Sequence, residues 1–345
     1  MNTLSSYKSL MIARTYPIWQ TPSWQKEIAQ AIRDPEILLN RLNLSHHQLP
    51  EQYQACKQFS LRVTESYLSR MRVGDPTDPL LLQILPQSQE LDQINGYETD
   101  PTGDQESIAL PGLLHKYEGR CLLITTATCA THCRYCFRRH FPYQKSQLDE
   151  KSLAQALTYI ATDTSLSEVI LSGGDPLSLS DERLAHLVSK LNDIPHLKRL
   201  RIHTRQPVVL PSRITNKLIE TLTCSRLQTV VVLHFNHANE FDNEVECAIS
   251  KLAHRNITLF NQSVLLKGVN DSISSLKKLS EKLFEQRIIP YYLHRLDKVS
   301  GAAHFDISIK QARQLHQQLS ATLPGYLVPT LVQEQSGEPN KTVIV

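Results

Sequence analysis

At 345 residues the chain is long enough to bury a large core, or to carry a barrel with an appended region. Its 37 basic and 34 acidic residues leave a formal charge of +3, and without a long basic run nothing marks a nucleic-acid surface. Seven cysteines is an odd number, and Cys56, Cys121, Cys224 and Cys247 are scattered, which argues against a secreted disulfide scaffold and for a reducing cytoplasm.

In chain order, the N-terminus lacks a sustained apolar segment and no later run approaches the ~20 residues that span a bilayer, so a soluble, untargeted protein with no membrane partner is expected. Residues 1–105 read as a helical N-terminal cover. Amphipathic stretches, such as TrpGlnLysGluIleAlaGlnAlaIle from Trp24 and residues 65–71, are separated by breaks at Pro76, Pro79 and Pro86. AspProThrGlyAspGlnGluSer, from Asp100, reads as a linker.

From Cys121 the pattern changes to short β-branched runs. They are CysLeuLeuIleThrThr from Cys121, ValIleLeuSer from Val169, LeuArgIleHisThr from Leu200, ThrValValValLeuHisPhe from Thr229, IleThrLeuPheAsnGlnSerVal from Ile257 and IleProTyrTyrLeu from Ile289. Helical patterns follow them over 150–161, 181–191, 214–221, 244–254, 275–286 and 310–321. The basic stretch 198–205 alternates with Leu200 and Ile202, as a strand does whose polar residues point toward a site or solvent. Alternating strands and helices call for parallel pairing with right-handed crossovers, so the α/β fold expected over 106–330 is an open, partial (β/α)6 barrel. Function in such a fold gathers at the C-terminal strand ends, where the cysteine loop, residues 173–175, His203, His234, Gln262 and Asp297 fall.

Cys129, Cys133 and Cys136 write the spacing C-x₃-C-x₂-C in ThrCysAlaThrHisCysArgTyrCysPheArgArg. Three thiolates suit three irons of a four-iron cluster and leave the fourth to a small molecule. A zinc site completed by His132 or His140, or three unligated buried thiols, are the alternatives. Gly173 and Gly174 end the second strand, where missing side chains permit either a tight turn or a close approach by a ligand. In the Gly/Pro-punctuated segment 331–345, read as a C-terminal loop, Lys341 is either a solvated charge or an amine able to condense with an aldehyde cofactor.

The cysteine spacing, with Tyr135 before the third cysteine, resembles the signature of the radical S-adenosylmethionine (SAM) enzymes. Ordered blocks extend the resemblance along almost the whole chain to one family, the lysine 2,3-aminomutases. They include ProGlyLeuLeuHisLysTyrGluGlyArg from Pro111, LeuSerGlyGlyAspProLeu from Leu171, ProValValLeuProSerArgIleThr from Pro207, HisPheAsnHisAlaAsnGlu from His234, AsnGlnSerValLeuLeuLysGlyValAsnAsp from Asn261 and GlyTyrLeuValProThr from Gly325. The resemblance implies a 4Fe–4S cluster on Cys129, Cys133 and Cys136, with SAM on the open iron and its methionyl part near Gly173 and Gly174. It also implies pyridoxal 5'-phosphate on Lys341, with Arg120 and Gln262 at its phosphate. Arg138 takes the place of the arginine that pairs with the substrate carboxylate, and Asp297 that of the acid binding the distal ammonium of lysine. Glu334 stands where the family commonly has aspartate; an acid pair favours lysine over the glutamate handled by related 2,3-aminomutases.

Longer members carry a C-terminal extension that shares an intersubunit zinc site with a further cysteine. Here Ser272 holds that cysteine's position and the chain stops at Val345, so that zinc-linked dimer is not expected. The shorter form, with TyrCysPheArgArgHisPheProTyr from Tyr135 and GlyAlaAlaHisPhe from Gly301, resembles the EpmB group. That group makes (R)-β-lysine from (S)-α-lysine for attachment to elongation factor P by a lysyl-tRNA-synthetase-like ligase, with electrons from a reductase. A free-standing enzyme making β-lysine as a metabolite would share the core. An iron–sulfur electron carrier or zinc-binding module would keep the cysteines but have no use for Lys341, Arg138 and the acid pair.

Overall fold

The computed structural model describes residues 23–345 apart from 147, 254 and 256. The first 22 residues of the expected cover, and the last residue of the helix expected over 244–254, lie outside the described residues. Five short helices come first: α1 (Ser23–Ala29), α2 (Pro35–Arg41), α3 (Leu49–Gln58), α4 (Glu65–Leu68) and α5 (Pro79–Leu82). The helix expected over 65–71 is thus a single turn. Its apolar residues, with Trp24, Leu38, Leu61 and Leu80, join one buried cluster that continues into the strands.

Ten strands follow, hydrogen-bonded in chain order into one sheet among the described residues. The hairpin β1 (Ile108–Leu110) and β2 (Leu113–Tyr117) forms the leading edge, antiparallel to β3 (Arg120–Thr126). Then β3, β4 (Glu168–Gly173), β5 (Arg199–Thr204), β6 (Gln228–Leu233), β7 (Thr258–Leu265), β8 (Ile289–Arg295) and β9 (Thr330–Gln333) pair in parallel. The crossovers carry α6 (Glu150–Thr162), α7 (Asp181–Asn192), the short α8 (Gln206–Val209), α9 (Asn216–Thr223), α10 (Asn243–Ala253), α11 (Ile273–Glu285) and α12 (Ile309–Thr322). Each of the six expected strands is present. The seventh parallel strand β9, the leading hairpin and the trailing β10 (Thr342–Val343), antiparallel to β9, were not foreseen, so the segment 331–345 begins inside a strand instead of being a loop throughout.

Strand alternation sets what the sheet presents on each face. In β5, Leu200, Ile202 and Thr204 are buried while Arg199, Arg201 and His203 are half-buried; in β7, Leu259 and Leu265 are buried while Phe260, Gln262 and Val264 are half-open. Leu200, Ile202 and Leu259 join the cluster that holds leucines of α7 and α9, while Leu265 joins a second one with Leu276 and Leu293. The other set lines a hollow. Ser272 caps α11 by accepting the Ser275 N–H, a local reason for a small hydroxyl there.

The cysteine loop is fastened to the cover by a buried charge cluster. Glu90 accepts from Arg134 Nε at 2.8 Å and from Arg139 Nη2 at 2.8 Å, while Arg134 Nη1 reaches the Phe59 carbonyl at 2.7 Å. All three charged side chains are fully buried. Removing the anion strands two cations, which costs about 3–5 kcal/mol. Glu90→Gln should therefore lower the denaturation midpoint by that order in equilibrium unfolding; a midpoint equal to wild type would refute the cluster's structural role.

Candidate active site

The loop that leaves β3 is pressed against the end of β4. Gly173 has φ +119°, and a Cβ built there would lie 2.7 Å from the Thr126 carbonyl oxygen; one on Gly174 would lie 2.6 Å from that of Thr128. The Gly174 N–H donates to the Thr126 carbonyl at 2.6 Å and the Asp175 N–H to that of Thr128 at 2.9 Å. The space of both missing side chains is thus taken by the protein's own backbone. Asp175 accepts from the Thr204 hydroxyl and from the N–H groups of Leu177, Arg205 and Gln206. Burial pushes its carboxyl up to about 6 despite those donors. Its work is to clamp the loop to β4 and β5.

Cys129, Cys133 and Cys136 are half-buried free thiols. Burial raises Cys129 well above the usual thiol range, and Asp175, Cys136 and Cys133 add to it; burial and Cys133 take Cys136 up to about 11. The three sulfurs therefore lie within one another's fields, and thiols so crowded are relieved by a metal centre that takes their protons' place. Among the described residues no three His, Cys, Asp or Glu groups converge on a single ion; a cubane takes each thiolate on a different iron. His132 Nδ1 sits 2.8 Å from the Ser60 carbonyl and His140 Nε2 3.0 Å from that of Ser300, which fixes one ring nitrogen of each histidine weighed as a zinc ligand and leaves the other.

Beyond the thiols, Arg138 donates from Nε to Asp104 at 2.8 Å and from Nη1 to the Ser172 hydroxyl at 2.9 Å. This corrects the reading of the segment from Asp100 as a linker, since Asp104 is buried against the site. Arg139, its neighbour, is held by Glu90 and the Gly301 carbonyl. His203 comes from a half-buried position of β5, His234 directly follows β6, and His294 is a buried residue of β8. Burial depresses all three, helped at His203 by His234, Arg201 and Lys341 and at His294 by Lys341; His234 falls to about 3. They are neutral at physiological pH. Gln262 Nε2 lies 3.1 Å from His234 Nε2, while the buried Nε2 atoms of His203 and His294 have no protein partner.

Arg120 and Gln262 sit away from the C-terminal strand ends. Arg120 is the first residue of β3, its guanidinium 4.6 Å over the Tyr117 ring, and Gln262 is in the middle of β7, in register with Tyr292. The charges of Arg201 and Arg120 both act on the Tyr292 hydroxyl, so this end of the hollow is positive and rich in donors, as an anionic group requires.

The β9–β10 hairpin brings in the last two residues. Lys341 Nζ donates to Glu334 at 2.6 Å, Lys116 Nζ to the other oxygen at 2.8 Å, and the Tyr117 hydroxyl also to that oxygen. Burial would raise the Glu334 carboxyl, but Lys341, Lys116 and Tyr117 outweigh it and hold it at about 2. Asp297 shows the reverse: burial, reinforced by Glu334 and Asp104 against the pull of Lys341, lifts it to about 7. Both acids line a cavity of about 380 Å³ together with Glu98, Arg295, Gln333 and Ser336. The expected acid pair is thus brought together, but Glu334 is already neutralised by two lysines while Asp297 is open.

The sequence profile of the Radical SAM superfamily matches residues 123–274, the span from β3 through the thiol loop into α11. The chain is 49% identical over 326 residues to the L-lysine 2,3-aminomutase of Haemophilus influenzae, covering 94% of this chain and 96% of that one. It is 48% identical to the protein of the same name from Escherichia coli, covering 93% and 95%. This chain belongs to the lysine 2,3-aminomutase family. The L-lysine 2,3-aminomutase of Clostridium subterminale is 35% identical over 343 residues, covering 97% of this chain and 82% of that one. Family membership makes the protein a radical SAM enzyme and an isomerase, and implies a 4Fe–4S cluster and SAM, which the thiol loop fits. Sequence reasoning missed three residues of this aminomutase's site: Asp104, Lys116 and Arg205. Of these, Arg205 left a signal as the last member of the basic stretch 198–205, and Lys116 lies inside the block from Pro111, though no role was read for it. Among the described residues no helix is long and apolar enough to cross a membrane.

Proposed function

We propose that this aminomutase carries pyridoxal phosphate on Lys341 and converts (S)-α-lysine to (R)-β-lysine for the modification of elongation factor P. One observation carries the reading. Arg138, two residues after Cys136, pairs with Asp104; two residues before that acid the Thr102 carbonyl accepts from Lys116 Nζ at 2.5 Å, and Lys116 shares Glu334 with Lys341, so a short run of direct contacts joins the thiol loop to the terminal amine.

Bound there, the cluster with SAM would supply a hydrogen-abstracting radical, and pyridoxal phosphate a conjugated carbonyl to hold the substrate's α-nitrogen as it moves from C2 to C3. The protein's part is placement and exclusion. Arg138 has Nη2 left for the substrate carboxylate, Asp297 offers an open carboxylate to the distal ammonium, and Arg120 with Gln262 suits the cofactor phosphate. Gly173 and Gly174 keep the thiol loop against β4, beside the SAM position. Lys341 Nζ, which donates to Glu334 at 2.6 Å, must leave that contact before it can act as a nucleophile.

The elongation factor P role is supported by near full-length similarity to the Haemophilus influenzae and Escherichia coli enzymes at 48–49% identity, against 35% for the Clostridium subterminale one. It entails a reductase as electron donor and a ligase as consumer of the product, in the reducing cytoplasm that seven free thiols suit. Anaerobically reconstituted protein given SAM, pyridoxal phosphate, dithionite and lysine should release β-lysine, read by chromatography. An intact cluster that cleaves SAM yet leaves lysine unchanged would overturn the assignment. Transfer of the product to elongation factor P by the ligase tests the finer role.

A further inference from the structure

Arg205 follows β5 directly and is 6% exposed. Its guanidinium lies 5.3 Å from the Tyr67 ring centroid and 5.6 Å from that of Tyr135. Nη1 donates to Cys133 Sγ at 2.6 Å. Nη2 is occupied separately, by Glu240 at 2.6 Å, the Gln83 side-chain oxygen at 2.7 Å and the Tyr67 hydroxyl at 3.1 Å. Glu240 in turn accepts the N–H groups of Asn236 and His237. A guanidinium cannot be deprotonated in a protein, so a permanent cation, fixed in orientation by a buried anion and two stacked rings, is aimed at the middle sulfur of the thiol loop.

We propose that Arg205 is a positioning residue for the iron–sulfur centre: it orients the Cys133 thiolate and favours the one-electron-reduced state of the cluster, while Glu240 moderates that effect. The inference rests on the cluster reading above. One electron enters from a low-potential donor such as dithionite; no bond to the protein is made or broken and no proton moves. The reduced state carries one more negative charge, so a cation and a hydrogen bond at a ligating sulfur stabilise it preferentially and raise the potential. The anion on the other nitrogen opposes this.

The test is a redox titration of anaerobically reconstituted protein without SAM, followed by electron paramagnetic resonance. Wild type, Arg205→Gln, Arg205→Lys and Glu240→Gln are compared, with iron and sulfide assayed in each. Arg205→Gln should shift the reduced-to-oxidised ratio at fixed potential about tenfold toward oxidised, equivalent to about 59 mV for one electron. Arg205→Lys keeps the charge but cannot serve Cys133 and Glu240 together, so it should shift the same way by less. Glu240→Gln should shift the opposite way. If Arg205→Gln fails to fold by circular dichroism, the other two variants decide. Potentials equal to wild type, shifts of one sign in all variants, or loss of iron from all three would overturn the proposal. Failure of wild type itself to take up a cluster would instead overturn the functional reading.

Discussion

Lys341→Ala should take up iron and sulfide like wild type, yet lose the pyridoxyl group that borohydride fixes to the chain in the presence of pyridoxal phosphate. Peptide mass mapping would locate that group on Lys341 in the wild type. Turnover should fall by roughly 10²-fold or more, because a cofactor left untethered is no longer held in register with the thiol loop. The fold should survive, since Glu334 keeps Lys116 and the Tyr117 hydroxyl when Lys341 is truncated. A pyridoxyl label that persists in the variant, or maps to another lysine, would remove Lys341 from the chemistry.

The second large effect concerns Asp297. Its carboxyl is raised to about 7, whereas the distal ammonium of lysine stays charged to about pH 10. The ion pair needs the ionised acid, so wild-type affinity for lysine should fall as pH drops through 7, by about tenfold between pH 8 and pH 6. Asp297→Asn should weaken lysine binding by about 2 kcal/mol at pH 8, roughly thirtyfold, and abolish the pH dependence in that window. The same shift has a stability consequence of fixed sign. The folded state holds this proton up to about 7 and the unfolded state releases it near 3.9, so the contribution is full below the lower value and lost as pH rises through the upper one. Asp297→Asn should therefore be more stable than wild type at pH 8 and no more stable at pH 3. A variant with wild-type affinity and an unaltered pH profile would take Asp297 out of substrate recognition.

The six strand–helix units were readable because each strand is a run of β-branched residues followed by an apolar helical stripe. The leading hairpin, β9 and β10 were not: β1 and β10 are only three and two residues long, and β2 and β9 were passed over because neither stands in the strand–helix alternation that marked the others. The thiols were plain from their spacing alone. Gly173 and Gly174 were read as a tight turn or a close approach by a ligand, and the coordinates put their own loop's backbone in that space. Asp104 and Lys116 carry no local pattern, because their partners Arg138 and Glu334 come from distant segments. Glu334 itself was placed with Asp297 as expected, and its neutralisation by Lys341 and Lys116 depends on a hairpin the sequence did not announce.

Lys116 and Glu334 meet across 218 residues of chain, and this long-range contact imposes an order of assembly. Local strand–helix units can form as they are synthesised, whereas pairings so remote in sequence come late. The sulfur-bearing loop can therefore be shaped, and receive its iron, before the lysine at position 341 has been translated. On the proposed function, two prosthetic groups would then be installed in succession, the inorganic one into a vessel still missing its last wall.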